Sequence, residues 1–427
     1  MKKKMKGLCL MAVLFLASCS DDGPQEGFAD YVIATPITAD LVQFKAEAVG
    51  VSVPVPMQES GKIYAYGDYI FVNDVGRGFH ILDNTDPVTP VPIAFIKLEG
   101  NFDIAIKNNR LFADSYGDLV IFDISDINAI GDAQRIENAI YQQFWCTFDS
   151  TGEWPEADYY DYDGFDYNSQ AIVGWEMETK RMRVTEFNDT YGYGQYEDIV
   201  LFNEAAAPTA PTTGQGGSFA RFKIVADYLY AVEPFTINVF DISDIDNPII
   251  LEDVYTTGVI ETIYNQGDIL FLGGSNGLFI YDITDPAKPD YVSEFVHATA
   301  CDPVVVDGDH AFVTLRGGNA CGAAESGLYV IDVSDLNSSN QEAFYPLVSP
   351  YGLGFKEDKL FVCDGSNGLL VFDKSTVSDL QTLDHFKEVD AYDVIPLQES
   401  LLMIGNKELR QYRYSEDGLT HLSTVAL

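Results

Sequence analysis

One short phrase, a run of apolar residues closed by an Asp-x-Ser/Thr-Asp turn, returns along this chain at a near-constant interval. It reads FHILDNTD at residues 79–86, LVIFDISD at 119–126, INVFDISD at 237–244, LFIYDITD at 278–285 and LYVIDVSD at 328–335. Looser copies stand at 369–376 (LLVFDKST) and 409–413 (LRQYR). From Asp83 to Asp123, Asp241 to Asp282 and Asp332 to Asp373 the interval is about 40 residues, the period of a propeller blade. The intervals from Asp123 to Asp241 and from Asp282 to Asp332 are longer and mark insertions.

Each unit reads as four short strands divided by turn residues. In the first, 63–66 is followed by Gly67-Asp68, then 69–72, the Gly76-Arg77-Gly78 turn, 79–82 and finally 92–98. Continuous apolar runs on the inner strands suit faces buried between neighbouring blades, while the mixed fourth strand suits the outer edge. The spacing predicts an all-β propeller of about seven four-stranded blades with one long insertion, six or eight being the alternatives. The units begin near Gly61, Asn101, Phe219, Val259, Cys301, Tyr351 and Ala391. The recurring aspartates are scaffold, because Asp and Ser side chains bond nearby amides and fix a turn. Residues 30–60 precede the first blade as an arm or a closing strand. Within them 49–53 is expected either to pair with the last blade and cover its edge or to lie extended on the surface.

These phrases resemble the repeats of the LVIVD family, bacterial surface lipoproteins with a propeller fold. The resemblance covers about residues 61–427 and is carried best by Gly117-Asp118-Leu119-Val120-Ile121-Phe122-Asp123. Asn84, Lys374 and the eroded last copy depart from it. It implies a propeller at the cell surface and names no ligand.

The amino terminus reads as an export signal. Lys2, Lys3, Lys4 and Lys6 precede an apolar stretch at 8–16, too short for a bilayer-spanning helix. It ends in Leu16-Ala17-Ser18-Cys19, which resembles a lipobox, so residues 1–18 are read as signal peptide and Cys19 as the lipidated residue. Residues 19–29 are polar and carry Gly and Pro, a flexible tether. Their acidic pair resembles the surface-export signal of Bacteroidetes-type lipoproteins. The expected address is therefore the outer membrane, facing outward, with the lipid as the only membrane attachment and the protein a monomer.

A formal net charge of -41 excludes nucleic acid as a partner, which needs clustered Lys and Arg. With 47% hydrophobic and 13% aromatic residues the chain still has ample material for a core. Four cysteines remain outside the leader: Cys146, Cys301, Cys321 and Cys363. Cys301 and Cys321 fall in one repeat, on one face of the blade, and are expected to pair after export. Cys146 and Cys363 are read as free thiols.

The insertion at 141–218 holds Trp145, Trp154 and Trp175 and the acidic aromatic run at 159–167. It leaves an outer strand and enters the next inner strand, so it emerges on the face carrying the blade-to-blade connections. Trp154, Tyr160 and Tyr162 there suit a glycan or protein surface, or form the insertion's own small core. Asp161, Asp163 and Asp166 invite a calcium reading, the one cofactor the sequence offers. Acids at inner-strand starts (Asp103, Glu261, Asp302, Asp393) stand beside loops carrying Asp74, Arg77, Asp114, Tyr116, Glu233, Arg316 and Asp364. They read as a carboxylate ring or a solvated funnel at the channel mouth, with Arg77, Tyr116 and Arg316 as binding candidates. The five histidines stand in no nucleophile or zinc motif, and although His297, His310 and Asp302 lie close in sequence, no catalytic residue is assigned. The reading is a non-enzymatic surface module for a glycan or an envelope protein; a propeller lyase or hydrolase acting on polysaccharide is the alternative.

Overall fold

The computed structural model describes residues 27–140, 155–166, 169–191, 213–296, 303–317, 326–415 and 418–427. Cys19, Cys146, Trp145, Trp154, His297, Cys301, Asp302 and Cys321, and with them the lipid anchor and the expected disulfide, lie outside the described residues.

Two compact units are present: a small one drawn from residues 27–36, 155–163 and 175–191, and a large one holding the other described residues. The large unit is a β-propeller with seven antiparallel blades among the described residues. Blade 2 is representative: Ile104–Lys107, Arg110–Ser115, Asp118–Asp123 and Gln134–Ile136 run from the axis outward, each paired to the next. The third strand of every blade carries the repeated phrase. Its apolar run is buried on both faces, as Leu119, Val120, Ile121 and Phe122 are, because a blade is covered on either side by its neighbours.

Those neighbours close a ring. Phe71 and Ile81 of blade 1 pack with Ile106 and Phe122 of blade 2, and the succession continues through blades 2 and 3, 3 and 4, 4 to 6, and 6 and 7. Ile395, Leu402 and Leu409 of blade 7 then join Ile63, Ile70 and Leu82 of blade 1. Polar contacts reinforce this seam, where the Gln411 amide donates to Asn84 (2.6 Å) and the Ser423 hydroxyl to the Pro87 carbonyl (2.7 Å). The ring therefore closes by packing between first and last blades, with no strand exchanged between them among the described residues.

This corrects the expectation for residues 49–53. Val49–Ser52 pairs antiparallel with Val91–Leu98, the outer strand of blade 1, and not with the last blade. The cause is the short helix ahead of it, Leu41–Glu47, which starts at an N-cap where Asp40 accepts the Gln43 amide (2.9 Å). The helix is pinned to blade 2, since Lys45 pairs with the buried Asp118 (2.8 Å), which also takes Arg135 (2.7 Å). Its end is held at the rim of blade 1, where the Lys97 ammonium donates to the Glu47 carbonyl (2.9 Å) and the Glu99 amide to the Ala48 carbonyl (3.0 Å).

The turns after the third strands have the expected mechanism. Asp123 accepts the Ser125 amide (2.9 Å), and Asp83, Asp241, Asp282, Asp332 and Asp373 repeat the bond two residues ahead. Hydrogen bonds from the Ser or Thr side chain and amide hold all six carboxyls below the usual range.

Candidate functional site

The axis of the propeller is occupied by the chain itself. Residues 213–221, the end of the long insertion, form a strap against the inner strands. The Gly214 amide donates to the Ile106 carbonyl of blade 2 (2.8 Å). Gln215–Gly216 pairs with Ala65 and Tyr64 of blade 1, and the Gln215 amide side chain reaches the Pro396 carbonyl of blade 7 (2.9 Å). Ser218 donates its amide and its hydroxyl to Asp393 of blade 7 (both 3.0 Å) and accepts the Leu353 amide of blade 6 (2.7 Å). Ala220 accepts the Ile263 amide of blade 4 (2.9 Å). The glycines follow from the close approach: a Cβ on Gly214 would lie 2.1 Å from the Tyr64 ring, and one on Gly217 would lie 1.8 Å from the Asp393 carboxylate.

The acids read from sequence as a channel ring are clamps for backbone. Asp103 is buried and accepts the Arg221 and Phe222 amides (2.6 and 2.8 Å), fixing the strap's exit into blade 3. Asp393 fixes its middle. Asp74, Asp114 and Asp364 stand at or beside the ends of the second strands of blades 1, 2 and 6, and each accepts two successive amides of the segment entering its own blade: Gln58 and Glu59, Phe102 and Asp103, Val348 and Ser349. Neither a solvated funnel nor a cation ring describes these five residues. Glu261 is half-buried at the start of the blade 4 inner strand.

Around the strap's exit lies a buried charged cluster. Arg221 pairs with Glu233 (2.9 Å), and the Lys62 ammonium stands 3.6 Å from Asp103. Burial pushes the Asp114 carboxyl up to about 6, against the pull of the Asp103 and Phe102 amides and Arg221. Burial likewise pushes Glu233 up to about 7 in spite of its Arg221 partner, and lowers Lys62 against the attraction of Asp103. Asp74 goes the other way: burial would raise it, but His80, the Glu59 and Gln58 amides and Arg77 together hold it below the ordinary value.

The three binding candidates on this face separate. Tyr116 is a packing residue, its ring against Phe44 (centroids 5.1 Å) and tight over Gly100. Arg77 projects from its turn with a side chain 49% exposed, 3.7 Å from Asp74. Arg316 lies over the Tyr351 ring, 4.0 Å from its centroid, and Tyr351 in turn meets Tyr392 (5.1 Å). Backbone bonds fix both tyrosines: the Tyr351 amide donates to Cys363 and its carbonyl accepts Thr314, while the Tyr392 amide donates to Ile404. All three side chains are half-buried. Sequence reasoning found Arg316 and missed both tyrosines, which stand in the connections after the fourth strands where no motif marks them.

A sheet in the order Tyr159–Tyr160, Phe28–Asp40, Gln170–Arg183 has residues 28–36, 159–160 and 175–183 in the small unit, followed there by the helix Val184–Tyr191. Tyr160 and Tyr162 both set their edges against Trp175 (5.5 and 6.0 Å), and the Tyr160 hydroxyl donates to the Pro155 carbonyl (2.7 Å). All three are half-buried, so this part of the insertion is a partly covered aromatic cluster. Asp161 accepts the Asp163 amide (3.0 Å), and in the large unit Asp166 accepts the Ser169 hydroxyl (2.5 Å). Among the described residues no group of three or more His, Cys, Asp or Glu is arranged to hold a metal ion.

The remaining titratable candidates have local partners. His310 pairs with Glu342 (3.0 Å), and the His385 ring meets the Asn367 carbonyl (2.8 Å). Cys363 is a buried thiol, pushed well up by burial and by Asp393 and Asp364.

Against known proteins, the model of the LVIVD repeat matches residues 59–93 and 262–296, within blade 1 and blade 4. No curated protein matches the chain. Among solved structures it is similar to PorZ, described as an essential bacterial surface component of the type-IX secretion system of Porphyromonas gingivalis, with 13% identity and a TM-score of 0.48 over 87% of this chain and 39% of that one. A Lactobacillus plantarum protein gives 13% identity and a TM-score of 0.48 over 87% of this chain and 100% of that one. Apo AztD from Citrobacter koseri gives 12% and 0.37 over 48% and 60%. The chain spans well under half the length of PorZ. This chain is a β-propeller that carries LVIVD repeats.

Proposed function

We propose that this protein is a lipoprotein held at the outer membrane surface through Cys19, and that its propeller is a non-enzymatic binding module for a glycan bearing acidic groups. The observation that carries the reading is the Arg316–Tyr351–Tyr392 patch on the connection face. Tyrosine rings held by backbone bonds offer flat apolar faces on which a sugar stacks. A guanidinium already oriented by its stacking on Tyr351 is preorganised for a carboxylate. The binding reading is also supported by the roles of Asp74, Asp103, Asp114, Asp364 and Asp393: these acids accept backbone amides, whereas a lyase or hydrolase needs carboxylates directed at a substrate.

The test is a panel of neutral and uronic-acid-containing polysaccharides titrated against the soluble domain, repeated with R316A and Y392A. Binding of an acidic glycan, weakened at least about tenfold in R316A at unchanged Tm, is the expected result. Equal binding by both variants, or capture of an envelope protein and no glycan, overturns the site; turnover of the bound polymer makes the protein an enzyme. Cys19→Ala should release the chain from membranes, and protease shaving of intact cells should remove the displayed domain. Persistence of membrane attachment, or cleavage only after lysis, contradicts the address.

A further inference from the structure

We infer that one face of the small sheet rests on the headgroup layer of the bilayer that the Cys19 lipid enters, so that the small unit is held against the membrane. The inference rests on the lipid-anchor reading of Cys19 and extends it from an attachment to a surface.

Side chains alternate across a strand. Along Gln170–Arg183, Trp175, Met177, Thr179, Arg181 and Arg183 share one face, while Glu176, Glu178, Lys180 and Met182 share the other. The contacts agree: Lys180 meets Glu178 (3.1 Å), whereas Arg181 reaches Asp30 (3.3 Å) and Arg183 lies over the Phe28 ring (5.5 Å) on the neighbouring strand. The helix belongs to the opposite side, since Phe187 stacks on Tyr31 (3.8 Å), and Tyr31 alternates with Phe28 and Asp30. The face away from the helix thus carries Phe28, Trp175, Met177, Arg181 and Arg183. Phe28 is exposed by 56%, Met177 by 43% and the Arg181 side chain by 68%, while Trp175 is half-buried.

That composition is the chemistry of a bilayer interface. Trp and Tyr rings settle at headgroup depth, Met and Phe enter the upper acyl region, and arginines hold phosphates while their stems lie along apolar surface. Asp30, the carboxylate on this face opposite Arg181, is neutralised by it. With a formal net charge of -41, the rest of the chain favours the solvent side of a phosphate surface. Phe28 also follows Cys19 by nine positions, a reach of at most about 30 Å. The anchor therefore delivers this face to the membrane at high effective concentration.

The test uses the lipidated full-length chain with W145F and W154F, leaving Trp175 as the reporter, in phosphatidylethanolamine–phosphatidylglycerol vesicles whose acyl chains carry bromine near the headgroups. Trp175 emission should fall at least about twofold relative to unbrominated vesicles, as a residue at headgroup depth requires. R181S/R183S should lose most of that quenching at unchanged Tm. Flotation with the vesicles reads the anchor separately. A chain that floats but shows equal emission in both vesicle types overturns the docking alone; a chain that does not float overturns the anchor and the docking with it.

Discussion

Two sets of acids recur through the propeller, and they behave in opposite ways. The aspartates that close the third strands lie at the surface, Asp123 exposed and the other five half-buried; they bond an amide two residues ahead and sit below the usual carboxylate range. At the connection face Asp74, Asp103, Asp114, Asp364 and Asp393 are buried, and Asp103 and Asp393 reach amides 118 and 175 positions away. Where that face is most crowded, burial raises Asp114 and Glu233. An exposed acid in a local turn lowers the energy of one loop. A buried acid bonded across blades determines whether the strap and the inner strands exist as one body.

The largest effect should come from cutting a long-range clamp. Asp393→Ala leaves the Ser218 amide and hydroxyl buried without their acceptor, a loss of about 3 kcal/mol or more, seen as a fall in Tm and in denaturant midpoint. Gly217→Ala attacks the same contact from the strap and should cost about 1–3 kcal/mol through overpacking. If either variant unfolds like the parent, the strap is not integral to the ring.

Next comes pH. Asp114 and Glu233 keep protons in the folded state that the unfolded chain has already released. Their contribution is therefore present below the ordinary carboxylate range and lost as pH rises through about 6 to 7. Tm should fall from pH 5 to pH 8, and the double variant D114N/E233Q, which keeps acceptor oxygens, should flatten that slope. An unchanged slope would mean that other groups set it. The smallest effect belongs to the exposed turn: Asp123→Asn should stay within about 2 °C of the parent Tm, and a drop as large as that of Asp393→Ala would erase the distinction.

This contrast also explains what was legible in the sequence. The exposed turns are contained within eight residues, so the repeat revealed both the blade and the role of its aspartates. The second-strand acids recur as well, each nine positions before a turn aspartate (Asp74 and Asp83, Asp114 and Asp123, Asp364 and Asp373). That offset could have marked them as scaffold, but the amides they bond lie in irregular segments ahead of the inner strands. Gly214, Gly216 and Gly217 were absorbed into the long insertion because a strap on the axis contacts several blades and follows the period of none. The small sheet was hidden for a related reason: its central strand, Phe28–Asp40, lies more than a hundred positions from both of its partners, with no repeat to announce the pairing. Val49–Ser52 was legible as a strand, while its partner depended on a helix whose anchoring by Asp118 no local pattern encodes.

The most direct test of the strap is native-state hydrogen exchange resolved to residues 214–222. The Gly214, Ser218, Arg221 and Phe222 amides are bonded to Ile106, Asp393 and Asp103 on the axis, so they should exchange as slowly as the inner strands, opening only with global unfolding. Exchange of these amides within seconds, at the rate of an exposed loop and while the blades stay protected, would contradict the account.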